Sequence, residues 1–488
     1  MGSTGGLPLT ATETRIYRLG ENHSFGASGH RFAYLPSGAI FEVDEAAGEV
    51  VDRLREGDAA HNELIDRLIT SGLSVADAEE LLGELRQARA VVAPDAPPDI
   101  VADPPADFPL QSMVMNLTNQ CNLSCTYCYE FGEDKVATPE GKPKFMDLET
   151  AKRSVEMLLE QSDGRPGIHI TFFGGETLMN FPLLKNVVEY ANMRVTQQGR
   201  TVDYSLTTNA TLLTPEIVQF LSDNRIGVTV SMDGPPELHD KLRVFSNGKG
   251  SYDIVAAKVK MLIAGHKTRP IVARVTLTAG VTDVIRIYRH LKEELGFHEV
   301  GFAPVTTAPD RLYAIGESGM DGVLAQFKEL SQEWQSYAIR GEMHGFTNVS
   351  DTIAELIQGV NKSHPCGAGL GLVGVGPSGD IAPCHRFVDS DQHALGNVTT
   401  GIDREKQSAF LNRGHIRGKY DCHTCFARPL CAGGCHHEAF VRYGDTGHAN
   451  LHFCDWIRDW TDTCLHIYGS LAAENPGFLL QFAERKAT

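Results

Sequence analysis

The sequence predicts an α/β protein: a partial (β/α)6 TIM-like barrel with an N-terminal winged-helix-like domain and a C-terminal Cys-rich domain. Three observations carry this. Between Gln111 and Val305 six strand-like runs alternate with helical patterns. A proline-rich stretch, Ala93 to Pro109, sets the N-terminal segment apart. The eleven cysteines are clustered, three between 121 and 128, seven between 366 and 454, and one at 464.

The elements follow in chain order. Residues 1–13 are expected to be a disordered tail. Over 14–92, strand-like runs at Arg15–Leu19, Arg31–Leu35 and Ala39–Val43 precede helical patterns near Glu45–Glu56, Ala60–Ser71 and Val75–Ala88, the last started by Ser74. Three strands and then three helices suggest the winged-helix form. Its acidic helices (Glu79, Glu80, Glu84) suit DNA phosphates poorly. Residues 93–110 form a stiff, proline-rich linker. Over 111–310, strands are predicted at Met113–Leu117, Ile168–Phe173, Asp203–Thr207, Gly227–Ser231, Ile271–Leu277 and Glu299–Ala303. Helices such as Leu148–Gln161, Pro182–Gln197 and Thr282–Leu295 lie between them. Alternating βα units imply a parallel sheet with its chemistry at the C-terminal strand ends. Residues 311–364 read as a helical connection, 365–470 as the Cys-rich domain, and 471–488 as a C-terminal tail. The Cys-, Gly- and His-rich segment has too little apolar periodicity for a large core, so metal clusters are the natural support.

Composition narrows the function. Among 488 residues, 42% are hydrophobic and 22% charged, ordinary values for a globular protein, and the formal net charge is −18. No Lys/Arg cluster offers a phosphate groove, which argues against a nucleic-acid partner. No apolar run approaches the roughly 20 residues of a membrane span, and the start has no secretory pattern. The expectation is a cytoplasmic protein whose cysteines are thiols or metal ligands.

Cys121, Cys125 and Cys128 form a C-x3-C-x2-C loop directly after the first barrel strand. Three thiolates can hold three irons of a [4Fe–4S] cluster and leave the fourth open, whereas four cysteines close the site. A zinc knuckle is the alternative on this motif alone. After the second strand stand Gly174, Gly175 and Glu176, where glycines permit close backbone approach and the carboxylate can accept from an ammonium group. Thr207-Thr208-Asn209 follows the third strand. Ser231-Met232-Asp233-Gly234-Pro235 follows the fourth, with Arg243 downstream. Each alone is equally a turn or cap; their order on successive strand ends gives the joint signal.

With these motifs the chain resembles the radical S-adenosylmethionine (SAM) superfamily. The resemblance implies a SAM site made by Tyr127, Gly174, Gly175, Glu176, Thr208, Asn209, Ser231, Asp233 and Arg243. The C-terminal pattern, Cys366, then Gly379-x4-Cys384, then Cys422-x2-Cys425-x5-Cys431-x3-Cys435, then Cys454, is similar to the SPASM extension of peptide-modifying radical SAM enzymes. That similarity makes the C-terminal unit an iron–sulfur domain. It implies two auxiliary [4Fe–4S] clusters, one on Cys366, Cys384 and Cys435 and one on Cys422, Cys425, Cys431 and Cys454. Three [4Fe–4S] clusters and SAM are thus the implied cofactors. The first auxiliary set is one ligand short. Cys464 is the spare, but it shares a helical face with Trp460, Ile467 and Tyr468 and reads as core. An open iron is the expectation, with Cys464 as the alternative fourth ligand.

Such enzymes often begin with a RiPP recognition element, a winged-helix-like module that captures a leader peptide at a sheet edge. Across nearly the whole chain the sequence is similar to the SPASM group that matures quinohemoprotein amine dehydrogenase. The stretches that carry this include Cys121–Lys135, Thr171–Asn180, Gly301–Thr307 and Cys454–Cys464. The resemblance implies an oxidoreductase that acts on a leader-bearing peptide or small protein, takes electrons from a flavodoxin or ferredoxin, and forms intrapeptide Cys-to-Asp/Glu thioether crosslinks. Alternatives are a carbon–carbon crosslink, Ser/Cys oxidation as in sulfatase maturation, or a non-catalytic iron–sulfur or zinc peptide carrier. The sequence names no catalytic base.

Overall fold

The computed structural model describes residues 15–98, 101, 103–104, 108–138 and 140–483. The tail expected over 1–13 therefore lies outside the described residues, as does part of the linker.

Six parallel strands form in chain order: Ser112–Asn116, Gly167–Phe173, Thr201–Thr208, Gly227–Ser231, Ile271–Leu277 and Glu299–Pro304. Each pairs with the next. Right-handed crossovers between sequential parallel strands place all the connecting helices on one face. Burial alternates accordingly. Ile168, Ile170 and Phe172, then Tyr204 and Leu206, then Val228 and Val230, then Ile271, Ala273, Val275 and Leu277 are buried in the main core. The intervening residues, among them Thr171, Ser205, Thr229 and Arg274, face the opposite, inner side, which is polar and open enough to receive ligands. The helices start on chemical signals: Asp147 and Thr214 accept from backbone N–H groups of Thr150 and Ile217.

The sheet is larger than expected. Leu372–Val375 adds in parallel to the first barrel strand, and Asp380–Ala382, Gly396–Asn397 and Gly401–Ile402 continue antiparallel, giving ten strands. Two to four residues are too few to show period-2 alternation, so sequence patterning did not find these strands. Through them the Cys-rich segment is hydrogen-bonded to the barrel. Its own apolar clusters are small, Ile416, Cys422, Ala432 and Ala449 in one and Ala382, Phe387 and Val388 in another.

In the N-terminal segment the helices form at Glu45–Arg55, His61–Thr70 and Val75–Gln87, close to the predicted positions, and a strand at His23–Ala27 was missed. The segment divides its core. Tyr17, Val50, Leu54, Leu64, Leu68 and Leu82 make a separate cluster, whereas Phe25, Phe32 and Tyr34 join the main core. They do so against the helix Cys454–Glu474, where a Cβ at Gly469 would lie 2.9 Å from Ala27 Cβ. Residues 471–483 are not a tail. The helix runs to Glu474, a turn follows at Pro476–Leu479, and Phe478 and Phe482 pack on Trp334. Three apolar residues near the end of the chain favour burial over extension. No helix among the described residues is long and apolar enough to cross a membrane.

Candidate active site

The cluster loop is held by backbone bonds on both flanks. Ser124 and Thr126 N–H groups donate to Val244 and Leu242 carbonyls, Gly175 N–H to Thr118 (3.0 Å) and Glu176 N–H to Gln120 (2.9 Å). This explains the two glycines. A Cβ at Gly174 would lie 2.2 Å from the Thr118 carbonyl oxygen, and one at Gly175 2.3 Å from that of Gln120. The close approach is therefore to the cluster loop's own backbone.

Glu176, 1% exposed, ties two strand ends together: it accepts from Leu178 N–H (3.0 Å), Thr208 Oγ1 (2.7 Å) and Asn209 N–H (2.7 Å). Burial raises its pKa against these bonds. A carboxylate accepts about four hydrogen bonds, so one lone pair is left for a ligand cation. Asn209 Nδ2 reaches Asn122 Oδ1 at 3.0 Å and Cys121 Sγ at 3.8 Å.

Asp233 and Arg243 form a buried ion pair at 2.7 Å. Asp233 also accepts from Tyr127 Oη (2.6 Å) and Thr276 N–H (2.9 Å), and the guanidinium lies 5.3 Å from the Tyr127 ring centroid. Burial raises the Cys125 pKa, and the nearby Arg243 charge opposes that rise. These residues thus anchor Tyr127 and the thiols on either side of it. Ser231 faces the inner side at the end of its strand, in register with Arg274.

Cys121, Cys125 and Cys128 line one cavity of about 440 Å³. Burial pushes the Cys121 thiol up to about 12 and the Cys128 thiol up to about 11, in each case with a smaller push from Cys125. Buried thiols of this kind ionise only against a cation, which fits iron ligation. The C-terminal cysteines fall into two groups by mutual influence. Cys384 feels Cys366 and Cys435; Cys422 feels Cys431, Cys454 and Cys425. Lys419, 4% exposed, lies between the groups and feels thiols of both. Among the described residues no three His, Cys, Asp or Glu side chains converge as one metal ion requires. Cys464 stands apart, fully buried in the main core beside Thr352.

Sequence reasoning missed a set between the cluster loop and Cys384. Tyr129 meets His385 and His437 edge-on, each at 5.9 Å, and Arg386 covers the Tyr129 ring at 4.6 Å. Burial, then the nearby Arg386 charge, lowers His385 to about 3. Glu130 is pushed up to about 8 by burial and then by Asp389. The only signal was position, since Tyr129 and Glu130 adjoin Cys128 and His385 and Arg386 adjoin Cys384.

The parallel barrel places three thiols on its first loop, with polar strand ends opposite them. Residues 115–291 match the model of the Radical SAM superfamily. It is similar to the serine-type anaerobic sulfatase-maturating enzyme of Bacteroides thetaiotaomicron, 27% identical over 69% of this chain and 85% of that protein. The cysteine-type anaerobic sulfatase-maturating enzyme of Clostridium novyi is 23% identical over 72% of this chain and 94% of its own length. Among solved structures, native anSMEcpe with bound AdoMet shares the fold, with a TM-score of 0.63 and 20% identity over 74% of this chain and 99% of that one.

Proposed function

We propose that the protein is a radical SAM/SPASM peptide maturase that joins a cysteine of its substrate to a carbon of an Asp or Glu residue as a thioether. The observation that carries this is the partition of the cysteines: an open group of three at the barrel mouth, groups of three and four in the C-terminal domain, and Cys464 excluded. The similarity to sulfatase-maturating enzymes supports a polypeptide substrate. Cys121, Cys125 and Cys128 would hold a [4Fe–4S] cluster, which would supply one-electron reduction for SAM cleavage. The chain's own residues hold the geometry. Tyr127, Asp233 and Arg243 fix the loop, Glu176 offers its remaining lone pair to the SAM ammonium, and Thr208 and Asn209 line the approach. Thioether formation would pass one hydrogen atom to the adenosyl group of SAM, release the thiol proton to solvent, and return one electron to an iron–sulfur cluster, replacing the one spent on SAM.

The N-terminal segment is the leader-binding element in this reading. Its strand Ile40–Glu42 is a sheet edge beside the exposed Phe41, suited to strand addition. Tethering there raises the core peptide's effective concentration to about millimolar.

The test is incubation of reduced holoenzyme and SAM with Cys- and Asp/Glu-containing peptides from any short reading frame that neighbours its gene. The product should be two hydrogens lighter per bond, lose one alkylatable thiol per bond, and place the link at an acidic residue in tandem mass spectra. Phe41→Glu should weaken modification of the full-length peptide and leave SAM cleavage without peptide unchanged. A product with a carbon–carbon bond or an aldehyde overturns the thioether assignment.

A further inference from the structure

One lysine of the C-terminal domain is buried without a carboxylate. Lys419 is 4% exposed, and its ammonium donates to the Ala432 carbonyl at 3.0 Å. It forms no salt bridge among the described residues. Carboxylates on the adjoining segments are exposed or engaged: Asp421 is exposed, Asp103 pairs with Arg417 (3.1 Å) and Asp455 with Arg458. The lysine stem lies under the loop from Cys431 to Cys435. A Cβ at Gly433 would stand 2.5 Å from Lys419 Cδ and 2.8 Å from Nζ, so only glycine there admits the stem. On the other side Asn450 N–H donates to the Gly433 carbonyl (2.9 Å) and Asn450 Nδ2 to the Cys435 carbonyl (3.2 Å). The backbone carbonyl of Lys419 accepts from Cys422 N–H at 2.9 Å. The two ends of the loop belong to different groups, Cys431 to the four and Cys435 to the three. With consecutive Cα atoms about 3.8 Å apart, these contacts hold the ammonium within roughly 12 Å of the Cα atoms of both cysteines. Burial lowers the Lys419 pKa, and Cys422, Cys431, Cys366 and Cys435 oppose that fall as they ionise. A buried charge is weakly screened by salt, and leaving it without an anion is costly. Thiolate-bound clusters on both sides of the loop would supply the anion. Reduction adds a negative charge to such a cluster, so a fixed cation beside it favours the reduced form.

We propose that Lys419 is the shared counter-charge of the two auxiliary clusters and raises the reduction potential of both, which makes the pair an acceptor for the electron released by the substrate. This rests on the peptide-maturase reading above. There the substrate carbon loses a hydrogen atom, the thiol loses its proton, the carbon–sulfur bond forms, and one electron is left over for a cluster to take. Lys419 touches no reacting atom; it is a positioning residue that acts through the clusters it neighbours.

The test is an anaerobic redox titration of the holoenzyme followed by electron paramagnetic resonance, with iron content measured in every variant. The Cys121→Ala/Cys125→Ala/Cys128→Ala chain, which lacks the radical cluster, assigns the auxiliary signals. At a fixed potential, Lys419→Met should lower the reduced-to-oxidised ratio of both auxiliary clusters at least about tenfold, which is about 59 mV for one electron. The radical cluster should stay within about twofold, because screening and distance weaken the effect there. Lys419→Arg keeps the charge and should stay within about threefold of the unaltered protein. Unchanged auxiliary ratios in a fully loaded Lys419→Met overturn the proposal. So does an equal fall in Lys419→Arg, since shape rather than charge would then act, and so does a fall confined to one cluster. Where Lys419→Met does not load with iron, Lys419→Gln decides. If neither loads and Lys419→Arg does, the charge is required and the proposal stands; if none of the three loads, the lysine only shapes the loop and the proposal fails. An unaltered protein with about four irons has no auxiliary clusters, which overturns this proposal and the maturase reading together. Because the titration needs no peptide, its failure is distinguishable from failure of the thioether assignment.

Discussion

Replacing Arg243 by Met tests whether Asp233 and Arg243 hold the cluster loop. Asp233 is 1% and Arg243 7% exposed, so removing the guanidinium strands a carboxylate with only Tyr127 Oη and Thr276 N–H as donors. Breaking a buried pair on one side costs about 3–5 kcal/mol. Loss of the cation over Tyr127 adds to this. Asp233→Leu should cost a similar amount, because it leaves the guanidinium unpaired. The double variant Asp233→Leu/Arg243→Met removes both charges and should cost clearly less than the sum of the two, with a coupling of roughly 2–3 kcal/mol. The assay is denaturant unfolding of the anaerobic protein, with iron content alongside. Each single variant should lose about four irons, the radical cluster, and keep the auxiliary clusters. Additive single costs with full iron in all three variants would refute the anchor argument.

Two further outcomes follow from burial. Cys464→Ala should keep the full iron content and cost about 1–2 kcal/mol of unfolding free energy, the price of a small cavity; loss of iron would make Cys464 a ligand. His239 is fully buried, bonded to Asp233 N–H and Ser251, and burial lowers it to about 4 from an ordinary 6.5. Its neutral form is therefore favoured by folding, so this contribution is complete above pH 6.5 and lost as pH falls toward 4. Between pH 7.5 and 5 the loss from His239 is about 2 kcal/mol, so His239→Gln should reduce the fall in unfolding stability by about that amount, while the other buried histidines, such as His385, keep their share.

Much of the site was legible because it is local. Cys121, Cys125 and Cys128 share one loop, and Glu176, Asn209 and Asp233 each follow a strand whose alternation the sequence displays. The roles were less legible. Asp233 and Arg243 carry the right residue types for a SAM contact, yet they pair with each other and with Tyr127. Gly174 and Gly175 serve the loop's backbone. The short strands Leu372–Val375 and Asp380–Ala382 escaped because a few residues among Gly, Pro and Cys carry no period. Leu372–Val375 pairs with the first barrel strand and Asp380–Ala382 pairs in turn with Leu372–Val375, both far from that edge in sequence.

By itself the sequence determined the strand–helix alternation, the open three-cysteine loop and the chemistry available at each strand end, since each depends on residues within a few positions of one another. It also put Cys464 on the apolar face of a helix with Trp460 and Ile467, and the structure buries it there. Only the tertiary structure decided that the strands His23–Ala27 and His30–Tyr34 pack on the C-terminal helix and that residues 471–483 are part of the core. Burial of apolar surface chooses which distant segments meet, and desolvation then sets what the polar groups caught between them must pair with. Neither quantity is written in local spacing.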